Sequence, residues 1–71
     1  IQVIIEKSGV RIMNAIGQVM TITDSSGRFI IAEEISANNQ LVELTTMQNG
    51  TYLIEITTDD NPVITKILWK Q

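Results

Sequence analysis

Val42-Glu43-Leu44-Thr45-Thr46-Met47-Gln48-Asn49-Gly50-Thr51-Tyr52-Leu53-Ile54-Glu55-Ile56 is the stretch from which the fold is read. Val42 and Leu44 alternate with their neighbours, and Tyr52, Ile54 and Ile56 do so again after the Asn-Gly pair. Strand side chains repeat with period two, so each set shares one face. Asn and Gly reach positive φ at little cost. That predicts a chain reversal at Asn49-Gly50 that delivers Tyr52 to the start of a strand.

The same reading extends outward in both directions. Residues 1–5 are apolar and β-branched, and Lys7-Ser8-Gly9 breaks them. Residues 10–13 place Val10 and Ile12 on one face, before Asn14-Ala15-Ile16-Gly17. Residues 19–23 put Met20 and Ile22 inward, Thr21 and Thr23 outward. Asp24-Ser25-Ser26-Gly27 has Asp first and Gly fourth, a strong turn signal. In residues 28–35, Phe29, Ile31 and Ile35 are expected to share a face with Glu33, and Ala37-Asn38-Asn39 ends the run. Asp59-Asp60-Asn61-Pro62 closes the central stretch, Pro62 standing at the entrance to a last strand over residues 63–69. About seven short strands at regular spacing predict an all-β sandwich or small barrel. The only helical candidate, residues 32–36, is too short to compete.

Length and composition bound the rest. Seventy-one residues make a single domain, 1–71. Without Cys or His, disulfides, thiol nucleophiles, imidazole bases and Cys/His metal sites are excluded. A net charge of −3, spread along the chain, gives no footprint for nucleic acid or an anionic membrane. No cofactor is expected. A start at Ile1-Gln2-Val3, without Met or signal peptide, predicts a fragment of something longer.

Each candidate chemistry has a plain competitor. Glu33 and Glu34 are strand neighbours pointing to opposite faces, so they do not converge for acid/base work. Asp59-Asp60-Asn61 offers oxygens to calcium, yet Asp and Asn populate turns for backbone reasons. Ser25 and Ser26 have no base to activate them. Asn49-Gly50-Thr51 fits a glycosylation pattern that the turn already explains. Trp69 and Tyr52 could stack on sugar rings, although a core role for Tyr52 is the stronger expectation. Lys66 and Lys70 share a face with Ile64 and Leu68, as on an exposed edge strand guarded by lysines.

Four blocks then carry a resemblance. They are Val10-Arg11-Ile12-Met13-Asn14-Ala15-Ile16-Gly17, Met20-Thr21-Ile22-Thr23-Asp24-Ser25-Ser26-Gly27-Arg28, the stretch quoted first, and Ile64-Thr65-Lys66-Ile67-Leu68-Trp69-Lys70. In order and spacing they resemble the C-terminal sorting domain of the type IX (Por) secretion system of Bacteroidetes, with Met47 where that family usually has Leu. The resemblance implies an immunoglobulin-like β-sandwich, without catalysis, following an N-terminal passenger domain. It implies passage through the periplasm and outer membrane to the cell surface or medium. The implied partners are the outer-membrane secretion machinery and a sortase-like surface protease. Gly27, Gly50, Tyr52, Lys66 and Lys70 are the sorting-motif candidates: Gly50 to set backbone shape, Tyr52 to anchor the turn, the lysines to present charge. The competing reading is a non-catalytic accessory sandwich, glycan-binding or spacing, which predicts an exposed Trp69 or Tyr52.

Overall fold

The computed structural model describes residues 1–58 and 61–70. Seven strands follow one another: β1 (Gln2–Glu6), β2 (Gly9–Met13), β3 (Val19–Asp24), β4 (Phe29–Glu34), β5 (Asn39–Glu43), β6 (Gly50–Thr57) and β7 (Val63–Trp69). They form two antiparallel sheets, three-stranded β1-β2-β5 and four-stranded β4-β3-β6-β7. A constant-type immunoglobulin domain places its fourth strand beside the fifth. Here β4 pairs with β3, so the fourth strand has switched sheets.

Alternation decides which side chains fill the interior. Val10, Ile12, Met20, Ile22, Ile54 and Ile56 are fully buried, and Val42, Leu44, Tyr52, Ile67 and Trp69 complete the contact between sheets. Each set steps by two along its strand, as the period requires. Ala15 and Ile35 plug the core from two connections. Their segments are bound together, Gly17 N–H donating to the Ile35 carbonyl at 2.8 Å and Ile35 N–H to that of Gln18 at 2.8 Å.

Two expectations need correction. Phe29 does not share a buried face with Ile35: it is 61% exposed, while Ile35 is fully buried. The β3–β4 register shifts between Ile22 and Thr23, so Ile22 faces Ile31 but Thr23 faces Phe29. The extra residue, Ile30, resets the alternation, and Ile30 and Ile31 both pack partly against the core.

The second correction falls on Asn49-Gly50. Among the described residues, positive φ falls at Asn14, Gly17 and Gly27, and at neither Asn49 nor Gly50. Val42 and Tyr52 lie on strands of different sheets, so the stretch crosses between sheets instead of closing a hairpin. The chain turns earlier, with Met47 N–H donating to the Leu44 carbonyl at 3.0 Å. Gly50 is already the first residue of β6.

Candidate functional site

Three connections and the end of β7 gather at one end of the sandwich. Register places them: Asp24 is opposite Tyr52, and Gly50 opposite Trp69. Leu44 N–H donates to the Ser8 carbonyl at 2.9 Å, tying the β1–β2 turn to the β5–β6 connection. Ile1 and the β2–β3 and β4–β5 connections occupy the opposite end, where Gln2 faces Met13 and Val19 faces Thr57.

The β3–β4 turn is organised by one carboxylate. Asp24 Oδ1 accepts from Ser26 N–H (3.0 Å), the Ser26 hydroxyl (2.7 Å) and Arg28 N–H (2.9 Å). Arg28 Nε reaches Oδ2 at 3.2 Å. The Ser26 hydroxyl first, then Arg28 N–H, holds the Asp24 carboxyl below the usual carboxylate range. Gly27 sits at φ +89°, which a side chain would strain, and its N–H closes the turn on the Asp24 carbonyl at 3.0 Å. Asp24, Gly27 and Arg28 are thus one structural unit.

Tyr52 does for the β5–β6 connection what Asp24 does for this turn. Its ring is buried, and its hydroxyl donates to the Gln48 carbonyl at 2.7 Å. The ring lies beside Gly50, where an added Cβ would meet Tyr52 Cε2 at 3.7 Å, an ordinary contact. Between the two connections opens a cleft of about 490 Å³ lined by Asp24, Arg28, Ile30, Met47, Gly50 and Tyr52. The second and third signature blocks therefore face one another across it.

The lysines stand around the same end. β7 pairs only with β6 and is a sheet edge, with Lys66, Ile64 and Leu68 on its exposed face and Lys70 exposed just beyond, as expected. Lys66 shares a recess with Ser25 and Leu53, and Lys70 shares a cleft with Lys7 and Ser8. Sequence reading missed Lys7, whose only signal was a turn. It also missed Gly9, a strand residue whose added Cβ would lie 2.0 Å from the Val42 carbonyl oxygen.

The other candidates stay apart or inert. Glu33 Oε2 accepts from Gln40 Nε2 at 2.9 Å, while Gln40 also touches the Glu34 carbonyl at 3.5 Å. Asp59 and Asp60, the calcium candidates, lie outside the described residues. Trp69 and Tyr52 are 1% and 8% exposed, so neither presents a face to a sugar ring.

A small sandwich whose distinctive residues build turns and an edge strand belongs to the class of recognition modules. More specifically, the profile of the secretion system C-terminal sorting domain matches residues 1–70, and the chain belongs to that family. It is a C-terminal sorting signal of type IX secretion, and sorting domains of this family are signal modules that engage the secretion machinery. Such a domain marks proteins exported across the outer membrane to the cell surface or secreted. Neither a curated protein nor a solved structure matches the chain.

Proposed function

We propose that the secretion machinery reads the end of the sandwich built by Gly27, Gly50 and Tyr52, together with the β7 edge carrying Lys66 and Lys70. A passenger domain precedes Ile1, and a sortase-like protease at the cell surface removes the sorting domain after export. The domain itself performs no chemistry. The observation carrying this reading is that the turns of the second and third signature blocks and the end of the last one gather at the end opposite Ile1. A passenger joined at Ile1 would leave that end free for a partner, and an exposed strand edge offers backbone groups for pairing.

The test is a fluorescent reporter with an ordinary export signal, fused ahead of residues 1–71 in a host with the type IX system. Wild-type domain should bring reporter to the surface or medium, and a disabled translocon should retain it. Lys66→Gln with Lys70→Gln, both exposed, should lower export while leaving the melting temperature unchanged. Full export by this double variant would remove the lysines from the recognition surface; periplasmic retention of wild type would sink the sorting role itself.

A further inference from the structure

The four-stranded sheet ends in two edges of opposite character. β4 carries Glu33 and Glu34 at its end, whereas β7 carries Lys66 and leads into Lys70. Among the described residues the arginines are engaged: Arg11 Nε lies 2.6 Å from Glu6 Oε2, and Arg28 Nε 3.2 Å from Asp24 Oδ2. No carboxylate pairs with Lys7, Lys66 or Lys70 among those residues. In a chain of net charge −3, the lysines without an ion pair among the described residues thus lie along one sheet edge and the turn beside its end. Lys7 and Lys70 flank a cleft of about 530 Å³. Between Lys66 and Lys70 stands Leu68, 71% exposed, with Ile64 at 59% beyond Lys66.

We propose that this edge binds an extended acidic segment of a partner protein, added to β7 as a further strand. Outward side chains on an added strand repeat every second residue, and directly opposed pairs interact most. The residues facing Lys66, Leu68 and Lys70 would therefore be acidic, apolar and acidic at alternate positions. Beyond them the segment runs into the Lys7–Lys70 cleft, where a further carboxylate meets both ammonium groups. The β4 edge repels such a strand through Glu33 and Glu34, so the charge pattern selects one edge of the sheet. This inference rests on the recognition reading and names the partner's chemistry.

The probe is a blocked eleven-residue peptide, Thr-Glu-Thr-Glu-Thr-Val-Thr-Glu-Thr-Glu-Thr, compared with its counterpart carrying Lys in place of Glu. With the isolated 71-residue chain, the acidic peptide should bind and shift the backbone amide resonances of β7. Exposed ion pairs are individually weak, so Lys66→Gln with Lys70→Gln should cost about tenfold in affinity. Lys7→Gln should cost a smaller factor, and both losses should shrink in 1 M salt, where charges are screened within ~3 Å. Equal binding of the lysine peptide, shifts confined to β4, or no binding would each overturn the proposal. So would light scattering that shows wild type dimeric and the lysine variants monomeric, since the occupant would then be a second copy. Export of the wild-type reporter without peptide binding would defeat this inference alone, whereas peptide binding without export would defeat the sorting role alone.

Discussion

At the scale of single residues, the glycines separate shape from signal. Gly9 is dictated by backbone: an added Cβ would sit 2.0 Å from the Val42 carbonyl oxygen and 2.9 Å from its carbon. Neither atom can move without disturbing the β2–β5 ladder, so Gly9→Ala should cost about 1–3 kcal/mol in urea unfolding, the usual penalty of overpacking. Gly50 has no such constraint, with ordinary φ and an open approach to the Tyr52 ring. Gly50→Ala should shift stability by no more than about 0.5 kcal/mol. If it nevertheless abolishes export, Gly50 is read by the machinery and is not a demand of the fold. Asp24 adds a pH signature. Its folded-state carboxyl is held below the ordinary value by the Ser26 hydroxyl and Arg28 N–H, so its contribution is present above that value. The contribution is lost as pH falls through the lowered one. The stability gap between wild type and Asp24→Asn should therefore be full at pH 7 and close progressively below about pH 4. A gap of equal size at pH 2 would assign the role of Asp24 to something other than its charge. Glu6, lowered by its Arg11 hydrogen bond, titrates in the same direction but is common to both proteins and cancels in the difference.

At the scale of elements, β7 combines two jobs on alternate faces. Ile67 and Trp69 point into the core, while Ile64, Lys66 and Leu68 point outward. Removing the last residues would therefore delete core as well as signal. Trp69→Ala alone should cost about 3–5 kcal/mol. That is a large share of the roughly 4–11 kcal/mol a domain of this size holds at ~0.05–0.15 kcal/mol per residue, so its melting temperature should fall by more than about 10 °C. A cooperative melt within a few degrees of wild type would refute the burial of Trp69. Its indole Nε1–H is buried without a partner among the described residues, a polar group that adds cost without packing gain. The alternation of β7 was legible because Lys66 and Lys70 mark the outward phase unambiguously. The phase of β4 was not, because the unpaired Ile30 flips the alternation, and a run of Phe29, Ile30 and Ile31 gives no cue to where the bulge falls. The strand on either side of Asn49-Gly50 was also legible. That β5 and β6 belong to different sheets was not, since an Asn-Gly pair looks the same in a hairpin and in a crossover.

At the scale of the whole molecule, the positions of the two chain ends set the geometry of sorting. β6 alone spans roughly 26 Å at ~3.3 Å per residue, and Ile1 and Lys70 lie at opposite ends of such strands. Which signature residues meet could not be read from their spacing, because Asp24 and Tyr52 become neighbours only through the β3–β6 pairing. Given that pairing, additions at the two termini should have unequal effects. A reporter ahead of Ile1 should leave both melting temperature and export unchanged, since nothing of the Gly27, Gly50 and Tyr52 end lies there. A flexible tail of about ten residues appended after Gln71 leaves from Lys70, beside the Lys7 cleft and next to the β7 edge. It should leave the melting temperature unchanged as well, because Lys70 is exposed. Yet it should lower export by crowding the surface a partner must reach, and an acidic tail should do so more than a neutral one, by occupying the lysines itself. Export that ignores both tails would place recognition on another face of the sandwich, with the exposed Ile4 on the three-stranded sheet the next residue to substitute.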